Sequence, residues 1–405
     1  MSLYTKHTRL LVAATVILAS AVLSVLGQDT ALRDYRVLLG DPQEMEFIAN
    51  TGVLLNKVLN DAYFRGFGPR LPKKIAPVAS IAWSVFWTYS CSLWPHEFGH
   101  WARARQTGGD FIFEGYSFPF PAAKMVKSSS YDPAEDGTLS SVGGFEINFL
   151  MRRQTHTAMY RNGYAYADEL IHSFIQEVYF PFYAFVVAFP KTSDPYTWTN
   201  TRGDPVESAL AVYKSYTKRN ALRPDSTVDP ELVDYYWEAI GANLICTLLD
   251  PMLYKSARAF GVDMKNNFGL MKPWMAFSGR DIGWTYGTAF NPSPLGYELY
   301  FTNYLNLAGK LYTLYLKAGR PYKNLGIGFY APDLLKWKGF ALGSTCDFWI
   351  QDVYGNGSSV DLEGRYRLNK RLVVLARTGR KDRGYVVGRK TGESLLALVG
   401  LDYSF

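Results

Sequence analysis

Cysteine is scarce: the 405-residue chain has three, Cys91, Cys246 and Cys346, far apart in sequence. An odd and scattered set provides neither a disulfide framework nor the paired spacing of a cysteine zinc site, so these read as buried thiols. Histidine is also sparse, with five in the chain. The formal charge is +7, yet Lys and Arg never gather into a block of five or six, and no basic stretch is interleaved with aromatics. That absence argues against a nucleic-acid partner and leaves only a weak pull towards an anionic membrane surface. Several long apolar spans are missing as well, because the runs Val178 to Pro190 and Ala239 to Leu249 are too short to cross a bilayer.

With 48% hydrophobic and 20% charged residues, the chain is expected to fold as one large or two ordinary domains. Residues 1–27 read as an export signal. Lys6, His7 and Arg9 precede an uncharged run from Leu10 to Gly27, and Val25 and Gly27 suit cleavage before Gln28. An uncleaved anchor is the alternative, since that run is just long enough to span. Phe47 to Leu59 has a helical pattern, and Gly66 to Pro77 reads as a loop rich in Gly, Pro, Arg and Lys. Ile75 to Pro95 carries no charge, which fits a membrane-crossing helix or one buried in a core, and its five Ser and Thr favour burial. The helix continues through His100 to Gln106 and stops at Gly108 and Gly109. Pro95 is expected to kink it or to open a fresh turn.

Phe111 to Phe118, closed by Pro119, predicts a short extended segment beside that helix, and a polar loop follows from Lys124 to Ser141. Helical patterns then run over Phe145 to Tyr160, Asp168 to Phe189, Val206 to Tyr216 and Pro230 to Phe260. After about residue 290 the period changes to two. Val360, Leu362, Gly364, Tyr366 and Leu368 alternate with Asp361, Glu363, Arg365 and Arg367, giving a strand with one apolar and one charged side. Phe340 to Ile350 keeps this alternation, and further strands are expected over Tyr297 to Leu305, Leu311 to Lys317, Leu325 to Tyr330, Arg371 to Thr378 and Ser394 to Phe405. Seven or eight strands suffice for a small closed barrel, while a soluble antiparallel sheet packed on helices needs the same alternation. The last strand puts Leu395, Ala397, Val399, Leu401, Tyr403 and Phe405 on one face. It resembles the closing strand of bacterial outer-membrane β-barrel proteins, which implies an outer-membrane setting.

The chemistry is carried by His96-Glu97-Phe98-Gly99-His100. On a helix, positions four apart share a face, so the two imidazoles can meet one metal ion with Glu97 beside the open position. Two neutral His ligands leave most of the charge of a zinc ion available to acidify a water, whose proton Glu97 can take. With Trp101-Ala102-Arg103-Ala104-Arg105, the segment resembles the active-site helix of zinc metallopeptidases, including the site-2-protease family.

The third ligand has two candidates, Glu146 as the first choice and Asp250 as the alternative. Glu146, 46 residues after His100 in Gly143-Gly144-Phe145-Glu146-Ile147-Asn148, resembles the separate glutamate of the gluzincins; a first-turn acid serving the helix dipole is the simpler reading. Asp250 lies in Leu249-Asp250-Pro251 which, with Asn243-Leu244, resembles the ligand segment of site-2 proteases, although Pro stands where that family has Gly. In that case Asn148 matters more than Glu146, through a resemblance of Gly144 to Asn148 to a further segment of the family. An ordinary helix cap accounts for Asp250 equally well. His156 and His172 each sit alone in a helical pattern and read as satisfied residues.

The expected fold is α+β: a mainly helical, zincin-like domain over residues 28–290 and an antiparallel β domain over residues 291–405. The expected activity is that of an HExxH zinc metalloendopeptidase acting on a peptide or protein, exported to the outer membrane or periplasm of a Gram-negative bacterium. An inner-membrane enzyme follows instead if the site is of the site-2-protease kind. The competing expectation is an outer-membrane structural or transport protein whose metal site is not catalytic.

Overall fold

The structure, a computed structural model, describes residues 33–41, 43–117, 120–126, 135–188, 193–200, 203–265, 274–275 and 282–404. The expected export segment and residues 127–134 of the expected polar loop lie outside them. The fold is α+β. Strand β1 (Asp34–Gly40) leads into helices α1 (Met45–Ala62) and α2 (Ala76–Gln106), then a hairpin of β2 (Asp110–Ser117) and β3 (Phe120–Val126). Helix α3 (Glu135–Asn162) follows, then β4 (Tyr164–Ala165) and helices α4 (Ala167–Ala188), α5 (Pro195–Asn200), α6 (Asp204–Thr217), α7 (Pro230–Leu249) and α8 (Pro251–Lys265). Strand β5 (Trp274–Met275) pairs with β4.

The rest of the chain is a meander: β6 (Ile282–Ser293), β7 (Gly296–Leu307), β8 (Lys310–Pro321), β9 (Asn324–Trp337), β10 (Phe340–Gln351), β11 (Gly357–Arg367), β12 (Leu372–Lys381) and β13 (Ser394–Ser404). Each strand lies antiparallel to the next, and β1 adds to the far edge of β13 with Val37 opposite Leu401. Nine strands therefore form the sheet, one of them from the opposite end of the chain. Helix α1 packs on β1 and α7 on β6, at the two ends of the strand order, while α3 lies between the other helices and the sheet. Met45, Ile48, Ile147, Leu150, Tyr300 and Leu375 join α1, α3 and the inner side of the sheet in one core. Beside that core, a chamber of about 210 Å³ is lined by Arg36, Glu46, Arg153, Asp361, Arg377 and Asp402 among others.

Three helices differ from the sequence pattern. Pro95 lies inside a continuous α2. Helix α3 begins ten residues before the expected start at Phe145, because Gly143 and Gly144 serve packing rather than termination. A Cβ on Gly99 would come 2.2 Å from the Gly143 carbonyl oxygen, and one on Gly143 would come 2.4 Å from that of Gly99, so α2 and α3 cross with their backbones in contact. The long helix expected over Pro230 to Phe260 divides at Asp250 and Pro251, where the proline has no N–H to give and the Asp250 carboxylate caps the Met252 N–H at 2.8 Å. No described helix is long and apolar enough to cross a membrane.

Candidate metal centre

The one-face spacing of His96 and His100 on α2 places their Nε2 atoms 3.2 Å apart. Each ring is oriented through its other nitrogen. His96 Nδ1 donates to Asn148 Oδ1 at 2.7 Å, and His100 Nδ1 donates to the Ser140 carbonyl at 2.7 Å. Asn148 is held in turn, its amide donating to Gln176 Oε1 at 2.6 Å, while Gln176 donates to the Ser92 hydroxyl. With both Nδ1 atoms committed as donors, the Nε2 lone pairs face the same point.

The carboxylate at that point belongs to Asp204, the first residue of α6. Its Oδ2 lies 3.0 Å from His96 Nε2 and 3.4 Å from His100 Nε2. The rings are buried, whereas the Asp204 side chain keeps a fifth of its surface exposed, so the cluster opens on that side. A tetrahedral zinc ion with bonds of about 2.0–2.1 Å needs ligand atoms about 3.3 Å apart, and the three separations bracket that value. Three acceptors this close repel one another unless a cation lies among them. Without a metal, a proton fills the role: burial opposes charge on His100, but Asp204 outweighs it and pushes the His100 pKa up to about 10. Asp204 responds in the opposite sense, held well below the usual carboxylate range by His100 and His96 against the effect of burial.

Gly144 supplies the remaining space. A Cβ there would lie 2.4 Å from His96 Nε2 and 2.5 Å from His100 Nε2, inside the volume an ion would share with the rings. Phe145 and Tyr179 pack on His96 with ring centroids 5.2 Å and 5.1 Å away, giving the centre an apolar wall. Glu97, half-buried on the next position of α2, has its pKa raised by burial and by Asp204, against the lowering influence of the two histidines. The residues present fit a divalent cation with nitrogen and oxygen preferences, zinc above all.

No family model, curated protein or solved structure matches the chain. The site therefore rests on its own geometry.

That geometry brings His96 and His100 together but neither expected third ligand. Glu146 accepts from Arg103 through both carboxylate oxygens at 2.6 Å and from the Tyr385 hydroxyl at 2.7 Å, all within the core. Helical rotation explains it. Two residues beyond Gly144, Glu146 is turned by about 200°, while Asn148, four residues on, returns to the face that meets His96. Asp250 is buried against Arg152, which also holds Glu177 at 3.1 Å. His156 bonds to Ser173 and His172 to Thr155 through Nδ1, so neither joins the cluster, although the buried Nε2 of His172 has no hydrogen-bond partner, against the expectation of a satisfied residue. Asp204 was not singled out in the sequence because Gly203-Asp204-Pro205 has the form of an ordinary helix start, and no spacing rule links it to a histidine 108 positions earlier.

Proposed function

We propose that this protein is a zinc metallopeptidase in which His96, His100 and Asp204 hold the ion and Glu97 handles the proton. The convergence of the Asp204 carboxylate on the two Nε2 atoms carries the reading, since it supplies three protein ligands of the kind a catalytic zinc takes and leaves a fourth position open. A bound zinc would acidify a water and polarise the scissile carbonyl. The chain's own part is orientation and proton transfer. Asn148 and Ser140 fix the rings, and Phe145 and Tyr179 limit water on one flank. Glu97, its pKa raised by burial, accepts the proton of the attacking water and returns it to the leaving amine.

The substrate class is a peptide or protein, and the setting is an exported protein of the outer membrane or periplasm. A transport or structural protein with a non-catalytic metal has less support, because α1 and α3 occupy the inner side of the sheet and leave a chamber rather than an open pore. The test is zinc stoichiometry together with chelator-sensitive cleavage of a mixed peptide library by the full chain. Zinc near one per chain, with cleavage lost on chelation and in E97Q, is the expected result. An E97Q protein that retained both zinc and full cleavage would end the reading.

A further inference from the structure

The sheet is turned inside out relative to a protein in water. Along β11, Val360 is 47% exposed and Leu362 46%, while the charged residues between and beside them, Asp361 and Glu363, are 3% and 7% exposed. The other strands repeat the pattern: Leu316 and Phe348 face out, Lys317 and Asp347 face in. The register joins the outward residues into rows across neighbouring strands, with Phe301 opposite Leu316, Leu316 opposite Ile327 and Ile327 opposite Phe348. At one end of the sheet stand exposed Trp284, Trp337 and Tyr366, with the Lys338 ammonium over the Trp337 ring, where an aromatic girdle and its cations belong.

The helices carry the same inversion. On α2, Ser80, Ser84, Thr88 and Ser92 repeat every fourth residue on the buried face, each hydrogen-bonded, and the line continues into His96 and His100. The opposite face of its first three turns shows Val78, Val85 and Phe86 to the exterior. Helix α4 buries Asp168, Ser173 and Gln176 and exposes Phe174, Phe182 and Val186; α7 buries Asn243 and Thr247 and exposes Leu244, Ile245, Leu248 and Leu249. Rows of exposed apolar residues on the sheet and on three helices are unlike the scattered single ones of a soluble monomer, while buried polar faces turned towards a bundle interior are the rule within a bilayer. Mean hydropathy does not reveal this, because it averages the two faces of each helix.

We propose that one hydrocarbon layer surrounds both halves of the molecule: the outward face of the sheet and the outward faces of residues 76–86 of α2, 174–186 of α4 and 244–249 of α7. The occupant is acyl chain, because the exposed side chains of the three helical segments and of the rows across the sheet are aliphatic or aromatic, and strands β6 to β13, at 10 to 14 residues, meet the roughly 9–11 that a tilted strand needs to cross. The helices thus take part in the membrane wall, where the sequence suggested only a β domain seated there. The inference stands apart from the zinc reading, as its test does not involve metal.

The test is spin-label accessibility on the full chain in phosphatidylcholine vesicles. Nitroxides are placed at V85C, F182C, I245C, L316C and V360C in a C346A background, the other two thiols being buried, with K370C on a hairpin as the aqueous reference. Carbonate-resistant flotation of each variant with the vesicles confirms insertion. Oxygen collisions exceeding those of a water-soluble nickel chelate at all five positions, several-fold above the ratio at K370C, are expected. Nickel-dominated collisions at the three helical positions, with oxygen dominating only in the sheet, would overturn the inference by leaving the helices in water. Low access to both reagents at the helical positions would overturn it too, in favour of a protein partner.

Discussion

Replacing Asp204 by Ala separates the observed centre from the two sequence expectations. Structural zinc sites bind with about 10–16 kcal/mol at neutral pH, so each of four ligands accounts for about 2.5–4 kcal/mol, and losing one weakens binding by roughly two to three orders of magnitude. Part of that loss is offset in D204A if water takes the vacated position, so the lower figure is the better guide. Glu146→Ala should act differently. It leaves Arg103 buried with its carboxylate partner removed, which costs about 3–5 kcal/mol of folding stability, while the zinc affinity of the folded fraction stays at the wild-type value. The assay is equilibrium dialysis against a zinc buffer with metal counted per folded chain, alongside urea unfolding of the metal-free proteins. A D204A protein with wild-type affinity, or a folded E146A protein that had lost its zinc, would refute the assignment.

Three further outcomes follow from particular contacts. Gly144→Ala is expected to abolish zinc binding with every ligand residue retained, read by the same dialysis, because its Cβ would press on both Nε2 atoms. Glu97→Gln should lower turnover by roughly 10²–10⁴-fold at full zinc occupancy, measured as kcat on a cleaved peptide. Asp229, which caps α7 by accepting from the Glu231 N–H at 3.2 Å, is held below the usual carboxylate range, first by the Tyr213 hydroxyl at 2.6 Å. A lowered folded-state pKa adds stability above the unfolded value near pH 4 that is lost as pH falls through the folded value. Asp229→Ala should therefore cost about 0.5–2 kcal/mol at pH 7 and flatten the acid limb of the stability curve, read by urea unfolding across pH.

The histidine pair was legible because its spacing is local: one helix face sets where both rings go. The strands were legible for the same reason, as in β11, where alternation separates Val360 and Leu362 from Asp361 and Glu363. Which side faces out was not legible, since alternation is identical whether water or lipid lies beyond the apolar face. Glu146 was the expected ligand on the premise that its helix starts at the double glycine. With α3 extended back to Glu135 and crossing α2 at Gly99, its carboxylate turns to Arg103 and the Gly144–Asn148 face meets the histidines. Asp204 is fixed by the docking of α6, a tertiary event with no local signature. The five Ser and Thr between Ile75 and Pro95 had favoured burial of that helix, and one face is indeed buried; their four-residue spacing and the exposed opposite face needed the structure to be seen.

The pairing of Asp34 through Gly40 with the last strand has a consequence for biosynthesis. A ribosome releases β1 well before β13, so β1 has no sheet partner until all the residues between them have been made. Loop closure over such a separation makes the final pairing slow and keeps the sheet from completing while translation continues. A sheet that stays open for so long leaves the backbone edges of β1 and β13 unpaired until they meet, and those two edges are where an assembly chaperone would have to hold the chain.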